Sequence, residues 1–189
     1  WPSCQMKPSR SAMDMFDLQN VRLAGNSNLA GRMRGMDRVW KPNVTVAALM
    51  ERDGRFLLVE EETDEGIRFN QPAGHLDEGE SLVEACSREA MEETAHAFIP
   101  TELVGIYQWP RPKRENEGDI TYLRFAFAGK VSAGETARQL DTGILRAVWM
   151  TVEEIEACQT RHRSPLVLQC VRDYLAGRRY PLELIRHYG

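Results

Sequence analysis

Residues 74–95 read GHLDEGESLVEACSREAMEETA, and the placement of acids in that stretch decides how the rest of the chain is read. Ser81 followed three residues later by Glu84 is a capping box, which predicts a helix from Leu82 to Ala95 with Asp77-Glu78-Gly79-Glu80 as the turn leading in. Wound at about 100° per residue from Leu82, the apolar stripe of Leu82, Val83, Cys86 and Ala90 centres near ~60°. Glu93 then falls near ~20° and Glu89 near ~340°, at the edge of the face that has to meet the protein, with Glu92 beside them near ~280°.

Selection for stability alone does not put acids there. Like charges one turn apart repel by a few tenths of a kcal/mol, and the helix dipole disfavours anions in the last turn, where Glu92 and Glu93 sit. A divalent cation turns that repulsion into ligation, and an all-carboxylate donor set favours Mg²⁺ or Mn²⁺ over zinc. The competing interpretation is a solvated helix whose acids pair with Arg88. The position of Glu89 and Glu93 against the apolar stripe speaks against it.

Outward from the helix, the sequence reads as one domain. Of 189 residues, 42% are hydrophobic and 28% charged, enough for one core and too polar for a bilayer, since no apolar run approaches the roughly 20 residues a membrane helix needs. The four cysteines are far apart and form no Cys-x-x-Cys pair, which argues against a zinc ribbon or a disulfide scaffold and for reduced thiols in a cytoplasmic protein. The net charge of −4 is concentrated: residues 77–93 hold seven acids against Arg88 alone. Neither mildly basic end carries the dense Lys/Arg run with aromatics that a nucleic-acid polymer requires, so no nucleic-acid or membrane partner is expected.

Residues 1–38 show a Gly/Asn/Ser cluster and no sustained period, and are expected to be a disordered, loosely tethered extension ahead of a domain at 39–189. Val44–Leu49 and Phe56–Glu62 are expected to form a hairpin across Asp53-Gly54. Further strands are expected at Leu103–Gln108, Ile120–Ala128 and Leu145–Met150, and helices at Val152–Cys158 and Pro165–Ala176, the latter with Ser164 as N-cap and Gly177 past its end. The order suits an α+β arrangement with helices on both faces of a mixed sheet.

Five residues separate Gly74 from Glu80, seven separate Glu80 from Arg88, and two separate Glu89 from Glu92; this spacing resembles the Nudix box. The resemblance implies the α/β/α sandwich of the Nudix hydrolases. It assigns metal binding to Gly74 (by its carbonyl), Glu89, Glu92 and Glu93, catalysis to Glu89, Glu92 and Arg88, the last by holding a box carboxylate in an ion pair, and to Glu80 support of the loop or of an outer metal shell. The box departs from its usual form at its end, where Ala95 replaces Gly and His96 replaces a hydrophobic residue. KPNVTVA (41–47), NQPAGHL (70–76), YLRF (122–125), RSPLV (163–167) and RYPLE (179–183) are similar to the NudJ phosphatase branch of the family. That branch implies release of phosphate from small pyrophosphates: nucleoside di- and triphosphates, hydroxymethylpyrimidine pyrophosphate and thiamine pyrophosphate.

A pyrophosphate entering an acid-lined cleft repels it without a cation, so Mg²⁺, with Mn²⁺ as substitute, is expected as cofactor. The proton acceptor is left between Glu92 and Asp141, the latter also readable as a turn residue. Arg124 is the best candidate for the phosphate because it interrupts an apolar strand; Arg68, Arg111, Lys113 and Arg114 are others. Phe69, Tyr107 and Trp109 are candidates to flank a planar ring, and His75 to touch phosphate. Two other readings remain: an ADP-ribose or dinucleotide pyrophosphatase, and a binding module that has lost turnover. The partner in the leading reading is a small phosphorylated molecule, and the chain is expected to be a monomer or homodimer.

Overall fold

Strand β1 (Asn43–Leu49) is buried on both sides, and its alternation builds the layers. Val46, Ala48 and the adjoining Met50 pack with Ala85, Cys86 and Ala90 of helix α1 (Leu82–Thr94). Ala47 and Leu49 pack on the opposite side with Val167, Cys170 and Val171 of the last helix, Leu166–Leu175. A helix therefore covers each face, as in the expected α+β sandwich. In this computed structural model the described residues are 39–112, 118–134 and 138–189. The extension expected at 1–38, and Lys113 and Arg114, lie outside them.

Two sheets share the core. Strands β2 (Glu51–Arg52), β3 (Arg55–Thr63) and β4 (Gly66–Asn70) follow β1, then β5 (Ala73–His75), β6 (His96–Pro110), β7 (Thr121–Gly134), β8 (Ile144–Thr151) and β9 (Tyr180–Pro181). The first sheet runs β5-β1-β7-β6-β9 and is mixed, because β1 pairs parallel with β7 while the other neighbours are antiparallel. The second is antiparallel, with β3 paired to β2, β4 and β8. Helix α2 (Val152–Ala157) follows β8, and α3 is Leu166–Leu175.

The hairpin expectation needs correction. Asp53 and Gly54, at φ 52° and 73°, do form a two-residue turn with Arg52 facing Arg55, but the turn joins β2 to β3. β1 leaves for the other sheet at Met50, because a strand apolar on both faces needs helices on both sides. Helix α1 matches its expected span and the capping box is present. It ends at Ala95, which holds the left-handed conformation at φ 56° that explains why Gly is usual there. Ser164 is not the N-cap of α3: Pro165 occupies that position, and the Ser164 hydroxyl instead accepts from Leu166 N at 3.2 Å. Strands β4, β5 and β9 were not anticipated. No helix of the described residues is long and apolar enough to cross a membrane.

Candidate active site

Glu89 and Glu93 are each only 9% exposed, on the inward edge of α1 as the helical spacing requires. Glu89 lies against Gly74 on β5 so closely that a Cβ added at Gly74 would run into its carboxylate. The glycine thus makes room for the acid.

Arg88 ties the acidic elements together. Its Nη1 donates to Glu89 at 2.8 Å and Glu92 at 3.0 Å, and its Nε and Nη2 grip the two oxygens of Glu80 at 3.0 and 2.7 Å. Nη2 also donates to the His75 carbonyl at 3.0 Å. The two bonds to Glu80, with the Asp77 amide, hold the Glu80 carboxyl below its usual range despite partial desolvation. The fork therefore fixes the lead-in turn and β5 against the helix.

Glu93 is treated differently. Its Oε2 accepts from the Ala73 amide at 2.8 Å. Burial pushes its carboxyl up to about 8, and the charges of Glu89, Glu61 and Asp141 push the same way. Burial likewise raises Glu89 and Glu61. Asp141 is brought in by its amide, which donates to the Glu92 carbonyl at 3.0 Å; it is a turn residue as well, its own carbonyl accepting from Ile144 N at 3.0 Å. As the side chains stand, no three His, Cys, Asp or Glu among the described residues converge into a cage for one ion. The donor chemistry nevertheless fits a hard divalent cation: four mutually repelling carboxylates, of which Glu93 has no arginine partner among the described residues.

Beside the acids opens a cleft of ≈ 810 Å³. Of the anticipated residues, Gly74, His75, Trp109, Arg111 and Arg124 line it. Phe69 does not: it is 5% exposed in the core, with the Arg161 guanidinium 4.4 Å from its ring centroid, so its expected contact with substrate is withdrawn. Its position on β4 turns the ring into the packed layer instead of toward the cleft. Tyr107 packs against the same core and donates to Asp173 at 2.9 Å, and Arg68 lies near Glu65 at 3.8 Å.

Arg124 is 7% exposed on the cleft floor, and no carboxylate among the described residues forms an ion pair with it. Its Nη1 makes long contacts of 3.5 Å to Asn70 and 3.4 Å to Gln71. Gln71 is oriented by donating to the Val167 carbonyl of α3 at 2.7 Å. Burial pulls the guanidinium below its usual value. Sequence reasoning missed Glu61, Thr45 and Tyr122. All three line the cleft, and Trp109 and Tyr122 stack at 5.8 Å with planes 21° apart. A charge inside the strand run Glu60-Glu61-Glu62 was a signal for Glu61; Thr45 and Tyr122 lie in the stretches 41–47 and 122–125 that carry the resemblance, which assigned neither a role.

The NUDIX domain model matches residues 40–169. The chain is 40% identical over 151 residues to the phosphatase NudJ of Escherichia coli strain K12, covering 80% of this chain and 95% of that protein. A solved NUDIX hydrolase from Nitrosomonas europaea is 53% identical with a TM-score of 0.73, covering 78% of this chain and 98% of that one. A MutT NUDIX hydrolase from Burkholderia pseudomallei, 18% identical with a TM-score of 0.58 over 71% of this chain and 98% of its own, shares the fold. With its acid-bearing helix, its glycine-backed Glu89 and a domain match over most of its length, the chain belongs to the Nudix hydrolase family, enzymes acting on phosphoric anhydrides.

Proposed function

We propose that this enzyme removes orthophosphate from terminal pyrophosphates of small molecules: nucleoside di- and triphosphates, hydroxymethylpyrimidine pyrophosphate and thiamine pyrophosphate. The observation that carries the reading is the juxtaposition of two needs: Glu89, Glu93 and Glu61 are raised by burial, the first two also by neighbouring acids, and Glu61 shares its cleft with a buried Arg124 that forms no ion pair among the described residues. A phosphorylated substrate with a divalent cation meets both. The phosphatase name of the NudJ relatives supports release of phosphate.

In this reading Glu89, Glu92, Glu93 and the Gly74 carbonyl hold Mg²⁺, or Mn²⁺ in its place. When bound, the cation neutralises phosphate oxygens and lowers the pKa of a water. Arg88 keeps Glu89 and Glu92 in register with the Glu80 turn. Glu92, one oxygen of which Arg88 holds, accepts the proton of the attacking water at the other, with Asp141 as the neighbouring acid. Arg124 donates to the phosphate, which His75 also touches, and Trp109 flanks the organic part. With few contacts to the ring, changing it alters kcat/KM modestly, because stacking contributes roughly 0.5–1.5 kcal/mol beyond burial.

The test is a panel of nucleoside diphosphates and triphosphates, hydroxymethylpyrimidine pyrophosphate, thiamine pyrophosphate and ADP-ribose, assayed with Mg²⁺ and with chelator. Orthophosphate is expected from the diphosphates, nothing under chelation, and poor use of ADP-ribose. A kcat/KM for ADP-ribose at least about a hundredfold above every terminal pyrophosphate replaces this reading with a dinucleotide-type pyrophosphatase. Glu93→Gln is expected to lower kcat by roughly a hundredfold or more while leaving the fold intact. Near wild-type kcat at saturating Mg²⁺ removes Glu93 from the site.

A further inference from the structure

Among the described residues, three buried side-chain polar atoms lack a hydrogen-bond partner: Thr45 Oγ1, Glu61 Oε1 and Arg124 Nε. All three belong to residues lining the one cleft. Buried polar groups are ordinarily satisfied, so a concentration of unsatisfied ones in a single cleft marks groups kept for a ligand. Glu61 belongs with the acids, and Arg163 lies 3.8 Å from that same oxygen. The other two atoms are donors, and they are neighbours.

The strand register sets them side by side. Thr45 on β1 pairs with Arg124 on β7, and across the same row Thr45 pairs with His75 and Arg124 with Tyr107. Paired residues project from the same face, so His75, Thr45, Arg124 and Tyr107 form one polar row. The row on one side is small, Ala73, Ala47 and Ala126; Ala73 lines the cleft, while Ala47 and Ala126 are covered in the core by helix α3. Two residues along β7 on the other side lie Tyr122 and its partner Trp109, the stacked pair, about 7 Å away along the strand.

We infer that the Thr45 hydroxyl and Arg124 Nε together form a receptor for a phosphoryl oxygen, one residue row from an aromatic platform for a flat ring. The inference rests on the pyrophosphatase reading above and deepens it by assigning a role to Thr45. Both atoms are closed to solvent in this structure, so the receptor forms as the Arg124 side chain shifts to admit the ligand, the hydroxyl proton rotating toward the acceptor and Nε–H supplying a charged donor. A phosphoryl oxygen has the lone pairs to accept both. The ligand class is therefore a phosphate ester or anhydride carried on a planar ring.

The test compares Thr45→Val and Thr45→Ser with the wild type in the full chain, using inorganic phosphate as the probe in calorimetry and a nucleoside diphosphate in turnover. Valine keeps the shape and removes a hydroxyl that the folded protein leaves unsatisfied. It is therefore expected to keep or raise the melting temperature while phosphate affinity and kcat/KM fall roughly tenfold. Serine is expected to restore both. Unchanged phosphate affinity in Thr45→Val, equal losses in the serine and valine variants, or a wild type that binds no phosphate at millimolar concentration each overturns the receptor. Failure of the pyrophosphatase reading shows separately, as a wild type that binds phosphate yet releases none from any substrate.

Discussion

Arg124 lines the cleft, Arg88 sits on the acidic helix beside it, and the two have opposite surroundings. Arg88 is partly exposed and donates to three carboxylates and a backbone carbonyl, which raises its pKa further above an already high value. Arg124 is buried, meets Asn70 and Gln71 at long range and Cys170, feels the charges of Glu61 and Glu93 without an ion pair to a carboxylate of the described residues, and keeps an unpartnered Nε. The first serves the fold of the acidic loop and helix, because its bonds are complete in the protein itself. The second is incomplete until something negative arrives. A cation saturated by its own protein holds structure, whereas a buried one left without an ion pair is kept for a ligand.

The same substitution at both positions separates the two roles. Arg88→Met releases Glu80, Glu89 and Glu92 together, so turnover is expected to fall roughly 10- to 100-fold, as for loss of groups that orient metal ligands. The melting temperature without metal should fall as well, because three acids lose their shared donor. A melting temperature equal to wild type breaks the comparison and demotes the fork to surface charge. Arg124→Met is expected to raise KM for a nucleoside diphosphate roughly tenfold. Its melting temperature should stay level or rise, since a buried ion gives way to an apolar chain of similar length. A loss of many degrees in that variant would make Arg124 a structural bridge to Asn70 and Gln71.

The smallest effect is expected one strand over, where adjacent residues repeat the contrast. Hydrogen bonding to Arg146, then Arg161, outweighs desolvation and holds Glu60 below the usual carboxylate range, while burial raises Glu61. Because the folded Glu60 value lies below the unfolded one near 4.5, its contribution is full above that pH and is lost as pH falls through the folded value. Glu60→Gln should therefore lower the melting temperature at neutral pH, and the deficit should shrink under acid. A deficit that is constant across pH assigns it to packing instead of charge.

How far the sequence carried depended on the distance between partners. The capping box and the inward edge of Glu89 and Glu93 lie within one helix, and the structure repeats them. Arg124 was legible because a charge inside an apolar strand demands a reason. Phe69 was misplaced because an aromatic in a short strand gives no local sign of which face it takes. The hairpin arms were joined for a similar reason: the Asp53-Gly54 turn is local, but the sheet each arm enters is not.

The sequence by itself determined α1 and the placement of its acids, since a 3.6-residue period and one-turn contacts leave little for the rest of the molecule to decide. Only the tertiary structure decided that Thr45 and Arg124 share a row, that Glu61 and Asp141 approach Glu93, and that Gly74 yields its space to Glu89. Those placements follow from the parallel pairing of β1 with β7 and the packing of β5 on the helix. A strand's own residues fix its alternation, while its neighbours fix its register and the face that meets the cleft.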